Sequence, residues 1–454
     1  MLAIGLDIGT TSVCGILYDI DSGTQIKAIT EANDTFIKTD ETWKKLQDPV
    51  TLIKKLCDIE TRLENEANGN VAGIGITGQM HGIVYLNIKG EPISPLAIWQ
   101  DGRGDQIYRD NKSYAEYLSE LTGYPLATGY GAVTYYYDTV NNLVPSEAVT
   151  FCTIHDLAAM TLSNSTSPLL HTSDAASLGL FDLNKRAFDT EAIKKAGLNP
   201  DMFPKVTDGF KCIGKTSSGI PVSIAIGDNQ ASFIGSVADM KDSILINVGT
   251  GSQISAVVNA VPTDTKLDCR PLMQNDYIMA GSSLCGGRAY AILEKFFREV
   301  ASIVTGQEIS SAYPAIDKLM ESYTETAEPL CVDTTFCGTR NDPNKRASIT
   351  GVSIDNFTVG DMCNGFMKGI ANELYEMYTS IKPLLANEPT IMVGSGNGIR
   401  FNKQLCQKFQ DMFGLKLMIP AHKEEAAFGA MLYCLVASEV FDSIASAQKL
   451  IKYI

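Results

Sequence analysis

The sequence lacks an excess of positive charge. Its 37 lysines and arginines stand against 52 aspartates and glutamates, which gives a formal net charge of −15 and an isoelectric point of about 4.8. Such a chain does not attract nucleic acid or an anionic membrane through bulk electrostatics, so neither is an expected partner. A polyphosphate ligand would have to be held by backbone amides, a helix N-terminus and a cation.

Paired cysteines, long apolar runs and the P-loop pattern are also missing. The 11 cysteines form no CxxC pair and no Cys/His cluster of zinc spacing, which indicates buried, reduced thiols in a cytoplasmic protein. The longest uncharged apolar run, Ala426–Ser438, is too short to cross a bilayer and predicts a core helix. No basic region precedes the first apolar stretch, which predicts a strand there, not a signal peptide. The absence of GxxxxGK[ST] disfavours a P-loop.

What the chain does contain is a long internal repeat. Its 454 residues exceed what one hydrophobic core usually covers, so two domains are expected. Leu2–Ile8 and Ser243–Val248 read as strands, each followed by a glycine-threonine turn and a returning strand. Asp7–Ser12 matches Asn247–Ser252 at a constant offset of 240 residues. The repeat predicts two α/β domains of like fold, 1–238 and 239–454.

The two glycine-threonine turns are the first candidate for ligand binding. Glycine lets the backbone approach phosphate oxygens closely, and threonine adds hydroxyl and amide donors. One such turn is a weak signal, because both residues are common in turns, but two in register can hold phosphates from both domains. Asp7 would then lie near the metal that neutralises the phosphates, although a turn-capping aspartate is the ordinary alternative. The residues concerned are Thr10, Thr11, Gly249, Thr250 and Gly251.

Asp228 is the candidate proton acceptor. Transfer of a phosphoryl group to a hydroxyl requires positioning, a magnesium ion and a carboxylate that accepts the hydroxyl proton. Asp228 follows the apolar strand Val222–Ile226 and begins a helix. By position alone it fits a helix N-cap better than a base. The accompanying loops reverse that preference.

Two further loops carry polar residues between apolar strands. Gly78–Gly82 holds Gln79, Met80 and His81 and can line a polar ligand, although a lone histidine is more often structural. Gly394–Asn397 forms a predicted glycine-rich loop between a strand and a helix, and it can cover the adenosine part of a nucleotide. It is a weak signal alone, since many turns between a strand and a helix look like it.

Together these motifs resemble the FGGY carbohydrate kinases of the actin-like superfamily. Gly5–Ser12 is similar to the family's first phosphate motif, Asn247–Ser252 to the second and Gly227–Ala231 to the catalytic aspartate motif. The resemblance implies two actin-like (ribonuclease H-like) α/β domains flanking an active-site cleft, with both turns facing it. It also implies ATP and magnesium as cofactors, Asp228 as the base and Asp7 near the metal. The implied nucleotide residues beyond the turns are Gly286, Gly287, Gly394, Ser395, Gly396 and Asn397.

The sugar half of the resemblance points to a ketose. Gly78–Gly82 is similar to the sugar loop of the xylulokinase branch, whereas glycerol kinases carry Arg-Glu where Met80 and His81 stand here. Other stretches, among them Ala127–Gly131, resemble the sedoheptulokinase branch, which implies phosphorylation of the terminal hydroxyl of sedoheptulose. Xylulose is the alternative substrate. The implied sugar-binding residues are Gln79, Met80, His81, Tyr130, Asp228 and Asn229.

Two other functions compete with a ketose kinase. An actin-like ATPase for mechanical or chaperone work needs no sugar loop, and a sugar-binding regulator needs no complete set of catalytic residues. The loop Gly78–Gly82 disfavours the first and the filled catalytic positions disfavour the second. The expected partner is therefore a small ketose, and a homodimer is compatible with the resemblance.

Overall fold

The chain folds into two compact α/β units. A computed structural model describes residues 1–263, 267–339 and 342–454. The first unit comprises Met1–Ala238, Arg270–Tyr277 and His422–Lys452, and the second comprises Asp239–Cys269, Ile278–Ala421 and Tyr453–Ile454. The main division between the two units falls between Ala238 and Asp239. His422–Lys452, in contrast, belongs to the first unit and not to the second.

The first unit is built on a mixed sheet that opens with a hairpin. Strand β1 pairs antiparallel with β2 and parallel with β4, and the strand order is β5-β6-β4-β1-β2-β3, with β7 also paired to β4. The strands are β1 (Leu2–Ile8), β2 (Ser12–Asp19), β3 (Thr24–Ala32), β4 (Val71–Gly78), β5 (Cys212–Lys215), β6 (Pro221–Ser223) and β7 (Ile226–Gly227). The single strand expected over Val222–Ile226 is thus two short strands.

Helices cover this sheet and carry residues of the site. They are α1 (Pro49–Ala67), α2 (Tyr114–Thr122), α3 (Gly131–Val140), α4 (Ile154–Ser163), α5 (Thr172–Leu178), α6 (Thr190–Lys195) and α7 (Asp228–Ser236). The short strands are Phe36–Ile37, Leu46–Gln47, Val84–Leu86, Leu96–Ala97, Ile107–Arg109, Lys112–Ser113, Thr150–Cys152, Leu169–His171, Phe181–Asp182, Ala187–Phe188 and Lys205–Thr207. The 3₁₀ turns are Gly102–Asp105 and Pro200–Met202.

A helix from the C-terminal part of the chain completes the core of the first unit. The helix Glu425–Ala437 packs on β1, β4 and α7. A Cβ atom on Gly5 or Gly75 would overlap the backbone carbonyl of Ala427 or Ala430, so these glycines are what lets the helix lie directly on the sheet. Burial of β1 on both faces follows from this packing.

The second unit repeats the hairpin design. In its sheet the order is β10-β11-β9-β8-β12-β13, so β8 pairs antiparallel with β9 and parallel with β12, as β1 does with β2 and β4. The strands are β8 (Ser243–Val248), β9 (Ser252–Val258), β10 (Asp268–Met273), β11 (Asp276–Ser283), β12 (Ile391–Ser395) and β13 (Lys416–Met418); Cys331–Asp333 and Ser348–Thr350 form a separate pair. The ends of β8 and the start of β9 keep the 240-residue offset from β1 and β2.

The remaining helices follow in chain order. They are α8 (Gly287–Thr305), α9 (Tyr313–Glu321), α10 (Val359–Ile381), α11 (Asn397–Phe401), α12 (Lys403–Phe413), α13 (Glu425–Ala437) and α14 (Ile444–Ala447), with 3₁₀ turns at Lys382–Leu384 and Gln448–Leu450. Within the described ranges, no helix is both long enough and apolar enough to cross a membrane. The 11 cysteines all lie in the described ranges and form no disulfide, but Cys331 is exposed, so the expectation of uniformly buried thiols is wrong there.

Candidate active site

The turn of the first hairpin is held by hydrogen bonds within the first unit. The amide of Gly9 donates to the carbonyl of Ser12 at 2.9 Å and closes the turn. The Thr10 hydroxyl accepts from Trp99 Nε1 at 2.9 Å and donates to Gln79 Oε1 at 3.2 Å. Thr11 is exposed at the tip. The turn is therefore rigid, with Thr10 already engaged by side chains and Thr11 open to solvent.

Asp7 lies near the end of β1 and is part of an acidic group. Its side chain is partly exposed, but Oδ1 is buried and has no hydrogen-bond partner among the described residues. Burial raises the pKa of Asp7 to about 7, and the carboxylates of Asp228 and Glu424 push it in the same direction. Because two neighbouring carboxylates disfavour the ionisation of Asp7, a cation would be stabilising at this place.

The backbone that precedes Asp228 forms hydrogen bonds with two segments, β4 and the start of α5. Strand β7 pairs with β4, with Gly227 opposite Gly78, and the Thr77 hydroxyl donates to the carbonyl of Ile226 at 2.7 Å. The amide of Gly227 donates to Ser173 Oγ at 3.1 Å. These bonds fix the backbone immediately before Asp228, so the position of its carboxylate is set by the sheet and by α5.

Asp228 is the first residue of α7, and its N-cap is Gly227. No side chain caps this helix, so the alternative that Asp228 serves as an N-cap is not what the structure shows. Asp228 as a residue is partly exposed. Burial raises its pKa, against the opposing pull of the His155 imidazole and the Arg270 guanidinium. A partly exposed aspartate with a raised pKa can accept a proton from a ligand hydroxyl.

The loop after β4 presents its three candidate residues differently. Gln79 is buried: it accepts from Thr10, and its Nε2 donates to Gln47 Oε1 at 2.8 Å, so its amide braces the hairpin turn. Met80 is also buried and packs against Gly227, where an added Cβ would lie 2.5 Å from Met80 Cε. The buried side chain of Gln79 thus supports the turn at Thr10, and that of Met80 supports the turn at Gly227.

His81 is the partly exposed candidate of this loop. Its backbone is left-handed, with φ of 74°, and its ring stacks on Tyr130 with centroids 4.6 Å apart. His81 Nδ1 lies 2.7 Å from the carbonyl oxygen of Ser177, so Nδ1 is the donor. Stacking and this hydrogen bond together hold both rings in place. Asn229 adds a buried Oδ1 without a hydrogen-bond partner among the described residues.

In the second unit the predicted nucleotide loops converge. The amide of Gly287 donates to the carbonyl of Gly249 at 2.8 Å, and the amide of Arg288 donates to that of Thr250 at 3.1 Å. A Cβ on Gly286 would lie 2.6 Å from the carbonyl of Gly251. Close approach of the two segments, which are separated by more than 30 residues, therefore requires the glycines seen in the sequence.

The segment Gly394–Asn397 meets the same turn from the other side. β12 extends through Ser395, whose Oγ accepts from Asn247 Nδ2 at 2.8 Å. Gly396 has φ of 83°, and a Cβ there would lie 2.6 Å from the carbonyl of Val248. Asn397 begins a helical turn, so the loop expected over Gly394–Gly398 is shorter than predicted. The left-handed residue at Gly396 makes the chain turn sharply from strand into helix.

These loops border a cavity of roughly 660 Å³ inside the second unit. Its lining residues are Gly249, Thr250, Gly287, Arg288, Tyr290, Ala291, Tyr313, Asp317, Asn397, Gly398, Phe401, Asn402 and Leu405. The predicted residues Gly251, Gly286, Gly394, Ser395 and Gly396 are not among them. The aromatic and acidic lining from α8, α9 and α11 was missed, since its spacing on helices resembles ordinary amphipathic patterning.

Comparison with known proteins agrees with this fold. The mouse (Mus musculus) sedoheptulokinase is 26% identical over 475 residues, an alignment that covers 96% of this chain and 97% of that protein. Ligand-bound xylulose kinase from Lactobacillus acidophilus has a TM-score of 0.85 at 20% identity, covering 100% of this chain and 92% of that one. Plasmodium falciparum glycerol kinase with ADP has a TM-score of 0.82 at 19% identity, covering 99% and 92%.

The structural likenesses confirm the predicted α/β fold with two actin-like domains. Residues 2–235 match the model of the N-terminal domain of the FGGY family of carbohydrate kinases, which is more than half of the chain. The chain therefore belongs to the FGGY family of carbohydrate kinases, phosphotransferases that act on an alcohol group, as the resemblance implied.

Proposed function

We propose that this kinase transfers the γ-phosphoryl group of ATP to the terminal hydroxyl of sedoheptulose and so forms sedoheptulose 7-phosphate. The family implies ATP as co-substrate. Sedoheptulose is supported by the similarity to mouse sedoheptulokinase, at 26% identity over 96% of this chain, and by Met80 and His81 in the sugar loop. Xylulose is the alternative, since a solved xylulose kinase shares the fold. The proposed setting is the cytoplasm, where cysteines that form no disulfide are usual.

The observation that carries the proposal is the state of Asp228. Asp228 is partly exposed, and its side chain does not cap α7. In the proposed reaction it accepts the proton of the sugar's terminal hydroxyl as that oxygen attacks the phosphorus, while the γ-phosphoryl group leaves ADP. The backbone before it is fixed by Thr77 and Ser173, so the carboxylate needs little reorganisation.

The other residues of the first unit orient the sugar in this proposal. The partly exposed His81 contacts the sugar, and stacking on Tyr130 keeps its imidazole in place. Asn229 Oδ1 accepts from a second hydroxyl, which would satisfy a buried acceptor. Gln79 and Met80 are buried and contact Gln47 and Gly227, so they contribute to sugar binding only by holding the neighbouring turns in place.

For the nucleotide we propose the cavity of the second unit. Backbone amides around Gly249, Thr250 and Gly287 would bind phosphate oxygens, as expected for a protein of net charge −15. The adenosine would lie toward Tyr290 and Tyr313, past Asn397. Gly286 and Gly394–Gly396 shape the backbone of these loops without lining the cavity.

Magnesium fits the carboxylates of the first unit. Asp7 Oδ1 is buried without a partner among the described residues, and carboxylate oxygen is the ligand that Mg²⁺ prefers. Asp7 would hold the ion directly or through water, and the ion would neutralise phosphate charge. Burial raises the pKa of Asp7, and the carboxylates of Asp228 and Glu424 raise it further, so a bound cation would offset their repulsion.

A coupled assay that follows ADP tests the proposal. The purified protein is given ATP and magnesium with sedoheptulose, xylulose or gluconate in turn, and kcat/KM is compared. We expect the highest value for sedoheptulose. A higher value for xylulose would select the alternative, and ADP release that no sugar increases would indicate a non-sugar ATPase and overturn the proposal.

A further inference from the structure

Apart from the residues proposed for sugar and magnesium, the first unit contains a buried cluster of one histidine and two aspartates. His155 and Asp174 have no solvent exposure, and Asp156 is only 2% exposed. One ring nitrogen of His155 and one carboxylate oxygen of each aspartate all lie within 4.8 Å of one another. Asp7, the residue proposed for magnesium, is not a member of this cluster. The cluster therefore brings together atoms of the kinds that bind metal ions at a place of its own.

Most polar side-chain atoms of the cluster have no hydrogen-bond partner among the described residues. This holds for both oxygens of Asp174, both ring nitrogens of His155 and Oδ1 of Asp156, all of which are buried. Buried polar atoms are nearly always paired, because an unpaired one loses its bonds to water without replacement. So many unpaired atoms in one cluster indicate a bonding partner that the polypeptide itself does not supply.

The charge of the cluster indicates that this partner is a divalent cation. Within the described ranges, the ion-pair partner of Asp174 is His155, and neither aspartate pairs with a lysine or an arginine. Two ionised carboxylates beside a neutral imidazole carry two negative charges. Buried charges are tolerated when they are paired or when they coordinate a metal. One divalent ion would balance both carboxylates.

The distances within the cluster also fit ligands of one ion. His155 Nε2 lies 3.0 Å from Asp174 Oδ1, although the two atoms do not form a hydrogen bond. Two neighbouring ligand atoms that each bond to the same metal at about 2.1 Å lie about 3.0–3.4 Å apart. The Thr153 hydroxyl donates to Asp156 Oδ2 at 2.7 Å and leaves Oδ1 of that carboxylate for the ion. Such a second hydrogen bond commonly orients a carboxylate ligand.

We propose that His155, Asp156 and Asp174 bind one divalent transition-metal ion, of the Zn²⁺ or Mn²⁺ type, as a structural site within the first unit. The imidazole nitrogen disfavours Mg²⁺ and Ca²⁺, which take oxygen ligands. His155 and Asp156 lie at the start of α4 and Asp174 at the start of α5, so the ion joins the two helices. It is bound during folding, because its ligands are buried. It contacts neither sugar nor ATP.

The metal content of the unaltered protein tests the proposal. The protein is produced in medium supplied with Zn²⁺ and Mn²⁺, dialysed against EDTA in its folded state and analysed by mass spectrometry of the elements. A buried ion exchanges slowly, so we expect about one transition-metal ion per chain after dialysis. Magnesium at the partly exposed Asp7 should be lost in the same step. Less than about 0.1 transition-metal ion per chain, or Mg²⁺ alone, would overturn the proposal.

The variant Asp174→Asn tests where the ion lies. It keeps the size of the side chain and removes the negative charge, so the retained ion should fall at least about tenfold. The melting temperature should fall by about 5–10 °C, because the bound ion stabilises the folded state. The matched control Asp138→Asn removes another buried carboxylate of the first unit, which pairs with Arg103 at 2.6 Å. This control and Asp7→Asn should both keep the ion. Full retention of the ion by Asp174→Asn would overturn the proposal.

A spectroscopic measurement needs no variant. The chain has four histidines, so their nuclear magnetic resonance signals can be followed separately. In protein produced with Co²⁺ in the medium, the ring signals of one histidine should shift far outside their ordinary range, because an unpaired-electron metal bonded to imidazole displaces them. Protein that holds Co²⁺ without such a shifted histidine would overturn ligation by His155. None of these measurements requires turnover, so the metal site and the proposed function can fail independently.

Discussion

Asp228→Asn is the perturbation that separates catalysis from folding most sharply. It keeps the size of the side chain and removes the proton acceptor. If Asp228 is the base, kcat should fall by about 10²–10⁴, the usual contribution of a positioned acid-base group. The KM for the sugar should change little, because the amide can still contact a hydroxyl.

The structure also predicts the sign of the stability change. Gly227 is the N-cap and no side chain caps α7, so no cap is lost. The Asp228 carboxylate raises the pKa of Asp7, and its removal relieves that repulsion. Burial remains the larger cause, so we expect a gain of at most about 1 kcal/mol, or roughly 2–4 °C in melting temperature for a unit of this size. The assay is kcat together with thermal melting, without magnesium in the melting buffer.

The matched control is Asp48→Asn, the same substitution at a true helix cap. Asp48 caps α1 by accepting from the amide of Val50 at 3.1 Å. Asparagine caps equally well, so kcat and melting temperature should stay close to those of the wild type. A fully active Asp228→Asn enzyme would refute the assignment of the base. A melting temperature several degrees lower would refute the argument about repulsion.

Three further predictions follow from the same geometry. Ala291 lies on α8 at an exposed position that lines the cavity, so Ala291→Trp should fill it and raise the KM for ATP at least about tenfold. Lys295, one turn later, does not line the cavity, and Lys295→Trp should leave this KM unchanged. His81→Asn tolerates the left-handed backbone and should raise the sugar KM about tenfold in the coupled assay with the KM for ATP unchanged. Folding raises the pKa of Asp7 to about 7. Protonated Asp7 therefore adds up to about 4 kcal/mol to the free energy of unfolding below about pH 4, and this contribution is lost as the pH rises to about 7. Urea denaturation in EDTA should show this fall, and Asp7→Asn should flatten it; an equal slope in both proteins contradicts the assignment.

Local patterns were enough to predict the hairpins. Alternation in Leu2–Ile8 and the glycine-threonine turn are properties of adjacent residues, and the structure has β1 and β2 on either side of that turn. The second hairpin, β8 and β9 around Thr250, could be predicted for the same reason. The family assignment also needed only motifs and their order, and it is confirmed by the match over residues 2–235. The site roles built on those motifs stay predictions.

Contacts between segments that are far apart in the chain could not be predicted from the sequence. The chain after His422 was assigned with the second domain by its position, but α13 packs on Gly5 and Gly75 of the first unit. Gln79 looked like a ligand residue, and the structure turns its amide toward Thr10 and Gln47. Nothing in the local pattern distinguishes a glutamine that faces a ligand from one that braces a turn.

The charge, the two hairpins and the family follow from the amino-acid sequence, because each depends on composition or on neighbours along the chain. The tertiary structure shows in addition that Gly227 is the N-cap of α7 and that no side chain caps this helix. It alone brought His155 within 3.0 Å of Asp174 and placed that pair against the turn. The physical reason is that side-chain burial and ion pairing depend on which segments pack together, and packing joins residues that the linear order keeps far apart.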